Sequence, residues 1–160
     1  MRFAISVFLV IASLVLDAQT LQGKVVRVAD GDTITILDST NVQNKVRLNK
    51  IDAPEKKQAF GEVSRKHLAS MVAGNVVKVE WTKKDKYGRI LGDISIGTTN
   101  VNLRMVQDGL AWHFKAFDNT PAYAQAENEA RAKKIGLWKD ANPIPPWEFR
   151  KAKKEKGDSQ

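Results

Sequence analysis

The order of its short apolar segments constrains the fold of this 160-residue chain more than any other feature. The valine-rich run at 23–29 and the runs at 33–37 and 45–51 have the length and side-chain alternation of strands. A helix is predicted over 58–73, because its apolar residues recur at helical spacing and a glycine follows. The predicted apolar stripe of this helix consists of Phe60, Val63, Leu68, Met71 and Val72.

Two further strands are predicted around 77–81 and over 89–96, with a turn at 83–88 between them. Five short strands with a helix between the third and the fourth are typical of the five-stranded Greek-key β-barrel called the OB-fold, which binds oligonucleotides on one face. Asn100 is suited to cap a short second helix, and Thr120-Pro121 to open a third. The predicted class is therefore α+β, an OB-fold barrel with three α-helices.

Both ends of the chain are expected to lie outside this domain. Residues 1–18 have a basic residue at the start, a short apolar run and a small residue at the end, as secretory signal peptides do. Cleavage after Ala18 would export the protein to the periplasm or the medium and leave no stable membrane insertion; an uncleaved membrane anchor is the alternative. The domain is expected at 19–142, followed by a Pro-rich and then charged tail at 143–160 whose last dozen residues are expected to be poorly ordered.

Composition and charge narrow the function. The chain has no cysteine, which excludes thiol catalysis and cysteine-ligated zinc. Its net charge is +8, and residues 45–89 alone hold twelve Lys or Arg against five Asp or Glu. A basic surface attracts polyanions such as nucleic acids. Solubility and loose attachment to an anionic envelope are the alternative roles for this charge.

Two carboxylates inside this basic segment indicate a cation site. Asp32 follows the tight turn before the second strand, and Asp52 lies just past the end of the third. Two carboxylates at one barrel rim repel each other by about 4 kcal/mol at 4 Å, and a bound cation removes that repulsion. Calcium suits such a site because it accepts six to eight oxygen ligands in loose geometry. Magnesium is possible, whereas zinc is disfavoured because His67 and His113 form no ligand pair.

One further acid and two arginines complete a set suited to phosphodiester hydrolysis. Glu55 follows Pro54, which fixes the backbone there, and a carboxylate at that place can take a proton from water or hold the water in line. The guanidinium groups of Arg47 and Arg89 match phosphate oxygens and stay charged. Taken singly, each of these residues has an ordinary surface role as its alternative.

The motifs that carry these residues resemble those of the staphylococcal nuclease (thermonuclease) family. They are Asp30-Gly31-Asp32-Thr33, Val46-Arg47-Leu48 with Ile51-Asp52-Ala53-Pro54-Glu55, and Asp85-Lys86-Tyr87-Gly88-Arg89, in that order. The resemblance spans about residues 22–140. It implies an OB-fold barrel and a calcium-dependent, monomeric phosphodiesterase that acts on DNA and RNA, favouring single-stranded or locally unpaired regions. Such an enzyme would cut the P–O5′ bond and leave 3′-phosphate ends.

The resemblance also implies roles for individual residues. Asp32 and Asp52 would bind calcium through their carboxylates, and Ala53 through its backbone carbonyl, although the family's type member has threonine there. Arg47, Glu55 and Arg89 would be catalytic, and Lys86 and Tyr87 would contact a terminal phosphate. Trp112 and Phe114 stand where the type member has tyrosines and would stack on bases without phenolic hydrogen bonds.

Two other functions remain open at the level of the sequence. An OB-fold of this kind can bind single strands without cutting them, which would appear as salt-dependent binding with no cleavage in any divalent metal. An envelope-attached structural protein would neither bind nor cleave. Trp81 and Trp138 are predicted to belong to the core, and no catalytic role is expected for His113.

Overall fold

The computed structural model describes residues 18–157. The predicted signal peptide at 1–18 lies outside that range except for Ala18, so both the peptide and its cleavage stay predictions. Within the range, none of the helices has the length and apolar character that a membrane-spanning segment needs.

The described chain contains eight strands, four α-helices and one short 3₁₀ helix. The strands are β1 (Gln19–Val28), β2 (Thr33–Asp38), β3 (Gln43–Leu48), β4 (Ile51–Asp52), β5 (Val76–Lys84), β6 (Ile90–Ile96), β7 (Thr99–Asn100) and β8 (Trp112–His113). The α-helices are α1 (Gly61–Val72), α2 (Val101–Gln107), α3 (Pro121–Ala132) and α4 (Pro146–Gly157), and the 3₁₀ helix is Gly136–Lys139. Three of the α-helices correspond to those predicted, and α4 is additional.

The five long strands close into the predicted barrel. Their order is β3-β2-β1-β5-β6, and parallel pairing of β3 with β6, with Val46 opposite Ile90, closes it. Register shifts in β1 and β5 add the twist and bending that closure needs. Apolar side chains alternate inward along the strands, and Ile34, Ile36 and Leu48 are completely buried. The OB-fold prediction is confirmed.

Helix α1 packs against the barrel through a face that differs slightly from the predicted stripe. Leu68 and Val72 are fully buried as expected, whereas Val63 is 52% exposed. Ser64 takes the buried position instead, because its hydroxyl donates a hydrogen bond to the carbonyl of Leu110 at 2.7 Å. Gly31 lies directly against Ser64, where any side chain would collide. The turn before β2 is thereby seated against α1.

A small second sheet extends the barrel rim towards the C-terminal half of the chain. Lys50 adopts a left-handed conformation (φ 67°) and leads β3 into β4. Strand β4 then pairs with β8, so that Asp52 lies opposite Trp112. Behind β8 is a separate apolar cluster of Trp112, Ala130, Leu137 and Trp138. The core assignment of Trp138 is confirmed, and Trp81 is partly buried against the main core.

The C-terminal segment differs most from expectation. Its charged composition predicts poor order over the last dozen residues, but α4 forms a helix that begins at Pro146 and runs to Gly157. The ring of Trp147 stacks on Phe114 at 5.6 Å between ring centres and meets Trp112 edge-on at 5.5 Å. These aromatic contacts hold the start of α4 beside the rim.

Candidate active site

The turn between β1 and β2 fixes Asp32 at the barrel rim. Its backbone carbonyl accepts a hydrogen bond from the Leu48 amide at 2.8 Å, which ties the turn to β3. Its carboxylate accepts bonds from the Thr33 hydroxyl and from the backbone amide of Ala53, both at 3.0 Å. Asp32 is buried, so its carboxylate needs these partners.

Arg47 joins the two carboxylates among the predicted metal ligands. Its Nη2 lies 3.2 Å from Asp32 Oδ2 and 2.8 Å from Asp52 Oδ1. Its Nη1 donates to the backbone carbonyls of Leu48 and Ile51. The side chain of Arg47 is only 14% exposed and that of Asp52 only 1%. The structure therefore brings three of the predicted site residues into one buried cluster.

Burial shifts two acids at the rim, Asp52 and Asp30, towards their neutral forms. Burial raises the pKa of Asp52, and the negative charge of Asp32 adds to the rise, while Arg150 and Arg47 oppose it. Burial, followed by the charge of Asp32, also raises the pKa of Asp30 to about 6. Loss of hydration is the first cause of both rises in pKa, and the negative charge of Asp32 adds to each of them. A bound cation would offset that charge.

Glu55 faces the same cluster from the loop before α1. The loop is held by a reciprocal pair of hydrogen bonds, in which the Glu55 amide donates to the Gln58 side chain and the Gln58 amide donates to the Glu55 carbonyl. The carboxylate of Glu55 accepts a hydrogen bond from Nη1 of Arg150 at 2.8 Å. The same guanidinium donates hydrogen bonds to the Asp52 carboxylate from Nη1 at 3.2 Å and from Nη2 at 2.7 Å. These bonds to Asp52 raise the already high pKa of Arg150 further.

Arg89 is on the same side of the barrel, but it is not in contact with the cluster. Strand pairing places Arg47 opposite Leu91, two residues after Arg89, so the two arginines leave the strands on the same face. The Arg89 guanidinium instead pairs with Asp85 in its own turn, Nε to Oδ2 at 2.7 Å. Within residues 18–157, no hydrogen bond or ion pair joins it to Asp32, Asp52 or Glu55. Only Nε of Arg89 bonds to Asp85, so its other donors are not used in that pair and its catalytic role stays a prediction.

The predicted phosphate-contact residues lie on the exposed turn between β5 and β6. Tyr87 is 72% exposed, and its ring is flanked by Lys86 at 5.1 Å and by Arg89 at 5.5 Å. Asp85 shapes the turn by accepting hydrogen bonds from the backbone amides of Tyr87 and Arg89. The arrangement presents two cations and a ring to solvent, and the roles of Lys86 and Tyr87 stay predictions.

The aromatic residues predicted to stack on bases are placed differently from expectation. Trp112 is only 6% exposed, with Trp138 and Trp147 packed against its ring and the Arg131 guanidinium over it at 4.7 Å. One face of Phe114 is covered by Trp147. Trp112 is therefore not an open stacking surface, because α3 and α4 cover its ring. Phe114 is only partly buried, and its role in base stacking stays a prediction.

The donor set at the rim fits a hard divalent cation. Asp32 Oδ1 and Asp52 Oδ2 each accept one hydrogen bond within the described chain, from Thr33 and Arg150, and a carboxylate oxygen has two lone pairs. The backbone amide of Ala53 donates a hydrogen bond to Asp32, which places the backbone of Ala53 near the carboxylates. Oxygen ligands alone suit calcium or magnesium rather than zinc. Among residues 18–157 no three His, Cys, Asp or Glu side chains cluster as a metal site, so backbone carbonyl, water and substrate oxygens would have to complete the coordination.

Two residues of the site were not predicted. The sequence gives Asp30 no role beyond a turn signal, yet its carboxylate accepts a hydrogen bond from the Asp32 amide at 3.1 Å. Asp30 stands two residues before Asp32 with a glycine between them, and this spacing was the signal in the sequence that the two acids could lie together. Arg150 falls within the tail that is predicted to be poorly ordered. Pro146 at a helix start, followed by Trp147, was the signal that this segment is helical and packed.

Comparison with known proteins agrees with this geometry. A family model described as "Staphylococcal nuclease homologue" matches residues 45–140. An Escherichia coli protein named "Uncharacterized endonuclease" is 44% identical over 154 residues, which are 96% of this chain and 100% of that protein. A Haemophilus influenzae protein of the same name is 46% identical over 131 residues, 82% of this chain and 74% of that protein. A Shigella flexneri "Micrococcal nuclease" is 42% identical over 146 residues, 83% of this chain and 82% of that protein.

Proposed function

This chain belongs to the staphylococcal nuclease family, and from that membership we propose that it is an exported, calcium-dependent nuclease of DNA and RNA. Hydrolysis of nucleic acid is the activity that the family name and the named endonuclease relatives support. The finer proposal is that the enzyme acts as a monomer in the periplasm or the medium, prefers unpaired strands, cuts the P–O5′ bond and leaves 3′-phosphate ends.

One observation carries the proposal: a single guanidinium nitrogen of Arg47 lies within 3.2 Å of carboxylate oxygens from both Asp32 and Asp52. The barrel thus gathers two acids and a cation from three separate strands or turns at one point of its rim. A binding-only OB-fold needs basic and aromatic surface but has no use for buried paired acids. The buried acids therefore favour hydrolysis over mere binding.

The residues have distinct proposed roles. Asp32, Asp52 and the carbonyl of Ala53 would hold the calcium ion. When bound, that ion polarises the phosphate and neutralises its charge. Arg47 and Arg89 donate hydrogen bonds to the phosphate oxygens as the negative charge of those oxygens grows. Glu55 takes a proton from the attacking water or holds that water in line, and Lys86 and Tyr87 contact a terminal phosphate.

The test is a cleavage assay with analysis of the product ends. Labelled single-stranded DNA, duplex DNA and RNA are incubated with the purified protein in calcium, in magnesium and in a chelator. We expect calcium-dependent cleavage, fastest on single strands, with products that carry 3′-phosphate. Glu55→Gln, which keeps the size of the side chain, should bind the strands but cut them at least about 10²-fold more slowly.

Salt-dependent binding of DNA without cleavage in any of these metals would establish the binding module instead. Cleavage that continues undiminished in the chelator would reject calcium dependence. N-terminal sequencing of protein recovered from the periplasm and from the medium tests export and the bond after Ala18.

A further inference from the structure

Helix α4 brings a third arginine into the candidate active site. Taking the proposed nuclease function as its basis, we propose that Arg150 holds Asp52 and Glu55 in place with one edge of its guanidinium and binds a phosphate of the nucleic-acid strand with the other. Arg150 is 98 residues from Asp52 and 95 from Glu55 in the chain, yet its nitrogens are 2.7 Å and 2.8 Å from their carboxylate oxygens.

The holding contacts cover both acids. Nη1 and Nη2 of Arg150 reach the two oxygens of Asp52 as a fork, and the second hydrogen of Nη1 serves Glu55. Glu55 is 39% exposed, and within the described chain its carboxylate accepts hydrogen bonds from Arg150 alone. Without this bond an exposed glutamate samples several rotamers. Arg150 therefore sets the position of Glu55 relative to Asp52.

The other edge of the same guanidinium remains available. A guanidinium has five N–H donors, and three are used on Asp52 and Glu55. The Nε–H and the second Nη2–H are adjacent and nearly parallel, and within residues 18–157 neither makes a hydrogen bond. The side chain is 43% exposed, against 14% for Arg47. Two parallel donors open to solvent match two oxygens of a phosphate.

The helix that carries Arg150 is fixed to the protein and is itself basic. Trp147 stacks on Phe114, and the Gln58 side chain donates a hydrogen bond of 2.6 Å to the Ile144 carbonyl just before the helix. Residues 146–157 hold five Lys or Arg and two Glu. Such a helix attracts a polyanion and positions one arginine rigidly beside the scissile region.

The test compares three variants with the wild type. Arg150→Gln removes the charge and the fork, Arg150→Lys keeps the charge but not the fork, and Lys151→Gln removes a charge from the neighbouring, exposed position. Two quantities are measured: kcat/KM for labelled single-stranded DNA in calcium, and the affinity for the same DNA in a chelator over a series of salt concentrations. Hydrogen exchange of α4 shows whether the helix stays docked in each variant. If Arg150→Gln releases the helix, the inference is judged on Arg150→Lys instead, which keeps the charge.

We expect Arg150→Gln to lower kcat/KM by about 10²–10³-fold, as for a donor aimed at developing charge. Its salt dependence of binding should become shallower by about 0.7 in slope, the value of one phosphate contact to a single strand. Arg150→Lys should restore the salt dependence of binding but little of kcat/KM. Lys151→Gln should change kcat/KM by less than about tenfold, because the Lys151 side chain only attracts the strand.

Three results would overturn the inference while leaving the nuclease function intact, since that depends on wild-type cleavage. The first is that Arg150→Gln leaves both kcat/KM and the salt dependence of binding unchanged. The second is that Lys151→Gln lowers kcat/KM as much as Arg150→Gln does. The third is that Arg150→Gln cleaves faster than the wild type. The last would show that Arg150 shuts the site by occupying the two acids. A wild type that does not cleave would instead reject the proposed function.

Discussion

The rim of the barrel and the flank formed by α4 contribute to the same site in different ways. At the rim, Arg47 and Asp52 are 14% and 1% exposed, and their strands are fixed by the register of the sheet. On the flank, Arg150 and Glu55 are 43% and 39% exposed. They meet because α4 docks through aromatic rings and through the hydrogen bond of Gln58 to the Ile144 carbonyl. Folding of the barrel is enough to form the rim, whereas the flank also requires α4 to dock against the barrel.

This difference predicts how activity and stability are linked in each region. Breaking a buried ion pair leaves an uncompensated charge and is strongly destabilising, whereas an exposed pair contributes about 0–1 kcal/mol. Substitutions at the rim should therefore lower activity and stability together. Substitutions on the flank should lower activity while the barrel keeps its stability.

The largest effect is expected for Arg47→Ala. It removes a donor to the phosphate and leaves Asp32 and Asp52 without their shared cation, so kcat/KM should fall by about 10²–10³-fold. The free energy of unfolding should fall by about 1–3 kcal/mol, because buried carboxylates lose hydrogen bonds. Arg47→Lys, which keeps the charge, should recover part of the stability and little of the activity. Calcium-dependent cleavage measures kcat/KM, and thermal unfolding measures stability. A variant that lost activity but kept the wild-type stability would contradict the link between the two that we propose for the rim.

Arg89→Ala should lower activity by a similar factor, about 10²-fold, with little change in stability. Its ion pair with Asp85 is partly exposed and lies within one turn. The matched control is Arg104→Ala, because Arg104 makes the same kind of pair with Asp108, Nε to Oδ2 at 2.8 Å and four residues apart, on α2. The control should cleave DNA at the wild-type rate. If both variants or neither lost activity, Arg89 would have no special role in the reaction.

Local patterns predicted the rim but not the flank. Strand alternation separates Arg47 from the core residues Val46 and Leu48, and the turn at Asp30-Gly31 places Asp32, so these positions follow from neighbours in the sequence. Arg150 stands in a run of lysines that has the composition of a solvated tail, and its partners lie almost a hundred residues away. Nothing local indicates such a contact. The prediction that Trp112 stacks on bases failed for the same reason, because the helices that cover its ring, α3 and α4, come later in the chain.

Trp147→Ala tests whether the flank depends on its aromatic contacts. Removing the ring takes away the stacking on Phe114, so α4 should lose protection from hydrogen exchange while β1 to β6 keep theirs. Since a displaced active-site group can cost up to about 10²-fold, kcat/KM should fall by about 10–100-fold. Phe117→Ala is the control, because this ring also packs on Phe114 but is 80% exposed. Full protection of α4 in Trp147→Ala would show that other contacts hold the helix.

The smallest effect is expected at Asp118, in the loop that carries Phe114. Burial opposes ionisation there, but hydrogen bonds from Thr120 and His113 outweigh it and hold the pKa of Asp118 below its usual value. A lowered pKa in the folded state stabilises the protein above the unfolded pKa of about 3.9, and the gain is lost as the pH falls through the folded value. Asp118→Asn should therefore lower the free energy of unfolding by about 1 kcal/mol at neutral pH, with the difference shrinking below about pH 4.

Thermal unfolding of both proteins between about pH 3 and pH 7 measures that difference. Hydrogen exchange should show the loosening in residues 114–120 and in α4, and not in the barrel strands, because the loop supports the ring on which Trp147 stacks. A stability difference that is the same at acidic and neutral pH would mean that the carboxylate charge of Asp118 has no part in it. Loosening that reached the barrel strands would show that flank and rim are a single cooperative unit, and the two regions would then not differ in how they link activity to stability.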